Sequence, residues 1–286
     1  MPKKKPVVAI MYDFDKTLST RDMQEYSFIP KLGMTAKEFW EETDRLAVTE
    51  NMDRILAYLR LMLKKAAERG VAVTRDKFVE LGKDIEYFPG VETWFARIDE
   101  FGKEHGVVVE HYVISSGLKE IIEGSSVYKN FKRVYACEFL YDHNGVAVWL
   151  KTAVNYTNKT QFLFRINKGS LDLYEDAELN GYTEEEKRRV PFRNMIYIGD
   201  GMTDVPCMKL VKLNKGQSIA VFRRRKKDTA ERLIKENRVD YITEANYEEG
   251  SELDLIVKTA IEKIASEDKL ARLHQYHLKS IKELSK

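Results

Sequence analysis

Asp13-Phe14-Asp15-Lys16-Thr17 closes an apolar run, 7–12, and sets two carboxylates two residues apart. In extended chain such residues share a face, so Asp13 and Asp15 can meet one metal ion or one phosphate. Three later segments carry complementary groups. Ser115-Ser116-Gly117 offers a hydroxyl and backbone N–H groups suited to phosphate oxygens at a helix start. Lys159 supplies a cation able to neutralise a phosphoryl group and restrain a nucleophilic carboxylate. Gly199-Asp200-Gly201-Met202-Thr203-Asp204 turns tightly and points two more acids at one cavity, the oxygen-rich setting that a hard cation such as Mg²⁺ prefers. Taken singly, each has a plainer reading: a surface turn for the first, a solvated side chain for Lys159.

The elements around these groups alternate. The Val- and Ile-rich run 7–12 reads as a buried parallel strand, whose carboxyl end is where open α/β sheets place ligands. A helix with Trp94, Phe95, Ile98 and Phe101 on one side precedes a strand at 107–114 and a helix at 118–122. A hairpin is expected over 134–150, turning at His143-Asn144-Gly145. A helix over 160–166, opened by Lys159, leads to strands at 195–198, 218–221 and 241–243, with helices at 205–210 and 229–236 between them. Such alternation predicts an α/β fold, a doubly wound parallel sheet.

Between the first strand and the break at Pro89-Gly90, residues 19–88 read as all-helical. Thr35 and Glu38 have capping-box spacing, 52–69 places Ile55, Leu56, Leu59, Leu63 and Ala66 on one face before Gly70, and a shorter helix covers 75–81. The expected division is a core from 1–18 and 89–250, a helical cap from 19–88 lying over the carboxylates, and a docking helix over 251–286. That last helix carries a stripe of Leu253, Ile256, Val257, Ala260 and Ile264.

The 286 residues provide ample core, and 43% hydrophobic with 33% charged residues describes a soluble globular chain. A net charge of +2 gives no global argument for nucleic acid or an anionic membrane. Cys137 and Cys207 make no disulfide framework and suit a reducing cytoplasm. Asp13 and Asp15 interrupt the apolar run after the basic start at Lys3-Lys4-Lys5 too early for an export signal. The basic cluster Arg223, Arg224, Arg225, Lys226 and Lys227 has only Phe222 beside it for stacking, so a solvated loop or an attraction for an acidic partner is expected rather than a nucleic-acid element. The five histidines show no metal-ligand spacing.

In order and spacing, DFDKT, VISSG, a helix-opening lysine and IGDGMTD resemble the haloacid dehalogenase superfamily of phosphohydrolases. Within it the chain looks most like phosphoserine phosphatase and its relatives, which carry a helical cap between the first two motifs. The resemblance implies Asp13 as nucleophile and Asp15 as general acid and base. It implies Ser115, Ser116, Lys159 and Thr203 around the phosphate. Mg²⁺ would be held by Asp13, Asp200 and the carbonyl of Asp15, with Asp204 in the metal shell. Ser116 and Thr203 stand where those phosphatases usually carry Gly and Asn. Asp22 stands where they carry a Glu that reads the substrate amine. The insertion between Lys168 and Phe192, with Glu184, Glu185 and Glu186, is longer than that family needs and reads as a solvated surface helix. The expected activity is Mg²⁺-dependent hydrolysis of a small phosphomonoester through an aspartyl-phosphate. Its alternatives are phosphotransfer to another acceptor, carbon–halogen hydrolysis and a catalytically idle phosphate-binding regulator.

Overall fold

A computed structural model describes residues 5–224 and 226–284; the basic start at Lys3 and Lys4, and Arg225, lie outside the described residues. The run VVAIMY forms β1 (Val7–Tyr12), whose alternate side chains point to both faces and are all buried, so the sheet is covered on both sides. Its parallel neighbours are β2 (Val108–Leu118) and β5 (Met195–Gly199). β3 (Phe131–Tyr141) runs parallel to β2, and β4 (Ala147–Thr152) returns antiparallel to β3 as the expected hairpin. β6 (Gln217–Phe222) and β7 (Tyr241–Glu244) continue the parallel set beyond β5. The seven strands lie in the order β4-β3-β2-β1-β5-β6-β7, so the chain winds outward from β1 in both directions.

Four helices fill the segment after β1: α1 (Phe28–Lys31), α2 (Ala36–Thr49), α3 (Arg54–Arg69) and α4 (Arg75–Leu81). A 3-10 turn at Met23–Glu25 precedes them. Thr35 Oγ1 accepts from Glu38 N at 3.2 Å while Thr35 N donates to the Glu38 carboxylate at 2.8 Å, so the capping box forms. Asp53 caps α3 by accepting from Ile55 N and Leu56 N, and α3 stops at Gly70. The buried side of α3 differs from the expected stripe: Ala57, Tyr58, Leu59, Leu61, Met62 and Ala66 are buried, and Ile55, Leu56 and Leu63 are half-buried. The helix packs on α2 along one side and presents Tyr58 toward the strand ends on another, so its covered arc is wider than one stripe.

In the core, α5 (Val91–Glu104) packs on β2, and α6 (Lys119–Glu123) on β3. α7 (Lys159–Lys168) contacts β2 and α9 (Val205–Leu213), and α9 covers β5 and β6. The insertion between Lys168 and Phe192 is not one solvated surface helix; it holds the short α8 (Asp176–Asn180) and a 3-10 turn, Glu185–Lys187. Arg165, buried in α7, ties it down by donating to the carbonyls of Asp172 at 2.6 Å and Leu173 at 3.0 Å and to Asp176 at 2.9 Å. Those carbonyl acceptors replace the intrahelical bonds a longer helix would need. Arg223, Arg224, Lys226 and Lys227 are exposed between β6 and α10 (Asp228–Lys235).

α11 (Glu252–Leu284) buries Leu253, Val257, Ala260, Ile261 and Ile264. Leu270, Leu273, Tyr276 and Leu278 beyond them are exposed. Only its first half docks, because α11 has 33 residues and the α5 helix it lies on has 14.

Candidate active site

β1 ends at Tyr12, and Asp13 follows with its N–H donated to Ile198 O at 2.9 Å, so the sheet itself fixes the start of the loop. The Asp13 side chain is buried, and its Oδ1 accepts from Lys159 Nζ at 2.8 Å. Lys159, at the first turn of α7 and 1% exposed, also donates to Asp204 Oδ1 at 2.8 Å. Asp204 is anchored further by Tyr197 Oη, 2.8 Å away, and by the N–H of Gly201. One carboxylate oxygen from each of Asp13, Asp200 and Asp204 lies within 4.8 Å of the others.

Three carboxylates against one ammonium leave a net negative cluster in a largely dry place. Burial, followed by the field of Lys159 that opposes it and of Asp204 that adds to it, pushes the Asp13 carboxyl up to about 6. Asp200 is raised by burial and then by Asp13 and Asp204. Burial works against the charge on Lys159, but Asp13 and Asp204 override it and hold its pKa above the ordinary lysine value. An all-oxygen donor set with surplus negative charge fits a hard divalent cation such as Mg²⁺.

Asp15 is half-buried, and its Oδ1 accepts from Met23 N at 2.8 Å. Burial raises its pKa, and the carboxylates of Asp22 and Asp13 raise it further. Ser115-Ser116-Gly117 is not the mouth of a helix as expected. Ile114 pairs with Tyr135 and Leu118 with Cys137, so four residues of β2 span two of β3 and the segment bulges within the strand. Ser115 is buried and its Oγ accepts from Gly117 N at 3.0 Å. A Cβ at Gly117 would sit 2.2 Å from Met23 Cε and 2.9 Å from Asp15 Oδ2, so a side chain there would have to displace the tips of both. Ser116 O accepts from Tyr58 Oη at 2.6 Å, while Ser116 Oγ is buried with no hydrogen-bond partner among the described residues.

One cavity of about 260 Å³ gathers Asp13, Asp15, Ser115, Ser116, Lys159, Asp200 and Thr203. Thr203 is exposed at its rim. Asp22 lines it as well, but its side chain does not cap the turn it precedes; it pairs with Lys16 Nζ. Lys16 holds φ at 60°, a left-handed conformation that turns its side chain back toward Asp22. Gln24, Trp40, Arg54, Ile55 and Tyr58 complete the far wall.

Sequence reasoning brought Asp13, Asp15, Ser115, Ser116, Lys159, Asp200, Thr203 and Asp22 to this one place. It gave no role to Tyr197, Tyr58, Lys16 or Gln24. Tyr197 sits in a strand that reads as plain core, and Tyr58 on a helix whose periodicity is already explained by packing. Lys16 offered a signal: it lies inside the motif, between two acids and the Asp22 it meets.

The family model for haloacid dehalogenase-like hydrolase matches residues 10–209. An uncharacterised protein of Borreliella burgdorferi is 30% identical over 281 residues, covering 88% of this chain and 96% of that protein. The structure superposes on a HAD family hydrolase from Salmonella enterica subsp. enterica serovar Typhi with a TM-score of 0.56 at 17% identity, covering 89% of this chain and 72% of the other. It superposes on a phospho-aspartyl intermediate analogue of phosphoserine phosphatase with a TM-score of 0.54 at 16% identity, covering 89% and 99%. At these identities the two structural likenesses speak for the fold.

Proposed function

The chain belongs to the haloacid dehalogenase-like hydrolases, and from that premise we propose that it is a phosphatase that hydrolyses a small phosphomonoester with Mg²⁺ through a phosphorylated Asp13. The observation that carries this reading is the 2.8 Å contact of Lys159 Nζ with Asp13 Oδ1 inside a cluster of three aspartates. Lys159 engages one oxygen of Asp13, and we assign the other oxygen to the attack on phosphorus. Asp15 gives its proton to the leaving oxygen as the phosphorus–oxygen bond breaks. It then takes a proton from water, whose oxygen attacks the phosphorus and frees Asp13 and inorganic phosphate.

Lys159 also faces the phosphoryl group, and Asp204 and Tyr197 hold that lysine in place. The hydroxyls of Ser115 and Ser116 and the side chain of Thr203 bind phosphate oxygens. Mg²⁺, held by Asp13, Asp200 and the carbonyl of Asp15 with Asp204 behind them, would offset the phosphoryl charge. Residues 19–88 act as a cap that closes over the cavity, with Asp22, paired to Lys16, in its wall. A volume of about 260 Å³ supports a small substrate. Nothing in the wall calls for nucleic acid, and no helix among the described residues is long and apolar enough to cross a membrane. The two buried, unpaired cysteines, Cys137 and Cys207, favour a reducing cytoplasm.

The test is Asp15→Asn with 4-nitrophenyl phosphate, whose leaving group departs without a proton. Rapid-quench labelling should trap a phosphorylated enzyme that persists at least about a hundredfold longer than in the wild type. Decay at the wild-type rate would take the base role from Asp15. No labelled protein at all would favour a non-covalent route.

A further inference from the structure

The far wall of the cavity holds a polar atom that the phosphoryl chemistry does not use. Gln24 is 2% exposed, lines the cavity, and its Oε1 has no hydrogen-bond partner among the described residues. A buried amide oxygen left unpaired carries a desolvation cost, which a ligand able to donate to it would recover. The charges on the same wall, by contrast, are already matched. Asp22 pairs with Lys16, and Arg54 Nε lies 2.5 Å from Asp44 Oδ1. Tyr58 spends its hydroxyl on Ser116 O, and Trp40 Nε1 donates to Glu25 Oε1 at 2.7 Å. A leaving group bearing its own charge would compete with these pairs for its counter-charge, a penalty that a neutral group escapes. The apolar surfaces of Trp40 and Ile55 lie on the same wall as the amide.

We propose that Gln24 is a specificity-determining residue that hydrogen-bonds a neutral hydroxyl of the leaving group, so that the preferred substrates are small polyol phosphates; this rests on the phosphatase reading above. A hydroxyl both donates and accepts, so it serves the amide in either orientation. The ion pair on Asp22 changes what the sequence alone suggests for that residue: its carboxylate is committed to Lys16 rather than offered to a substrate amine.

The measurement is kcat/KM with Mg²⁺ on glycerol 1-phosphate, propyl phosphate, phosphoethanolamine and 4-nitrophenyl phosphate, for the wild type, Gln24→Leu and Gln24→Met. The wild type should favour glycerol phosphate over propyl phosphate and phosphoethanolamine by at least about tenfold. Both variants should lose at least about tenfold on glycerol phosphate while 4-nitrophenyl and propyl phosphate change by less than about threefold. Their thermal midpoints should hold or rise, since an apolar side chain of similar volume removes the unpaired amide; a packing role would lower them and would move all substrates together. If Leu does not fold in that place, the unbranched Met variant carries the comparison. Equal losses on glycerol and propyl phosphate, or a wild-type preference for phosphoethanolamine, would overturn the assignment. An active aryl phosphatase with no preference for glycerol phosphate would sink this inference alone, whereas a wild type inert toward every ester would bring down the phosphatase reading with it.

Discussion

Acids flank β2 near both of its ends, one glutamate of the strand itself at the first and three aspartates from the segments after β1 and β5 at the second, and the two sites are built on opposite plans. Near the amino end, Glu110 is ringed by Arg189, Lys132 and the Tyr112 hydroxyl, the last at 2.7 Å. Burial pushes its carboxyl up, but the hydrogen bonds from Arg189, Lys132 and Tyr112 override that and hold it below the ordinary range. Near the carboxyl end, beside the Ser115–Gly117 bulge, Asp13 and Asp204 share the cation Lys159 with Asp200 beside them, and Asp13 and Asp200 are pushed up instead. The same residue types give a charge-saturated clasp at one end and a charge-deficient one at the other. Saturation serves the fold; the deficit of positive charge is what a divalent cation would complete.

The largest effect expected from this contrast is on turnover. Asp13→Asn should cut hydrolysis of 4-nitrophenyl phosphate at least about a thousandfold, and Glu110→Gln should leave it within about threefold. A variant of Asp13 retaining a tenth of wild-type activity, or a crippled Glu110 variant, would dissolve the distinction.

Next in size is the response to metal. At a hundred times its dissociation constant Mg²⁺ should stabilise the wild type by about 2.7 kcal/mol. A thermal scan should show this as a rise in midpoint that a chelator reverses, that Asp200→Asn blunts, and that Glu110→Gln leaves intact. The same rise in Asp200→Asn would place the ion elsewhere.

The smallest effect is at the clasp itself. Removing the Glu110 charge should cost about 1.5–3 kcal/mol at neutral pH, since it strips the partner from charge-assisted hydrogen bonds. Its folded pKa lies below the unfolded value, so this contribution is complete above about pH 4.5 and is lost as acid carries the solution down through the folded pKa. Chemical denaturation of wild type and Glu110→Gln should therefore converge toward pH 3; a gap that stays constant across that range would deny Glu110 its clasp.

Most of the floor of the site was legible because strand ends, helix starts and paired acids are local signals. Asp13, Asp15, Asp200 and Lys159 announce themselves by type and place, and the Thr35 capping box by spacing. The wall was less so. Nothing in Ser115-Ser116-Gly117 says that two extra residues bulge out of β2, since a bulge is a relation between strands. On α3 the expected apolar stripe omitted Tyr58, Leu61 and Met62, because one helix is buried from two directions and periodicity measures only one. Gln24 and the Lys16–Asp22 pair come from irregular chain, where the side chain's partner is set by tertiary geometry and not by neighbours in sequence.

The order of the strands has a consequence for how the molecule comes into being. β1 precedes the other strands of the sheet in the chain, yet it lies between β2 and β5, and β5 begins at Met195. While the intervening chain emerges, the side of Val7–Tyr12 destined for β5 has no native neighbour, and it is an apolar edge of the kind that recruits foreign strands. Asp13 is thus made before Asp200 and Asp204, so a nascent or truncated chain ending before Met195 would carry it without the other two aspartates of the cluster. Such a fragment should be recovered as aggregate rather than as a weak catalyst.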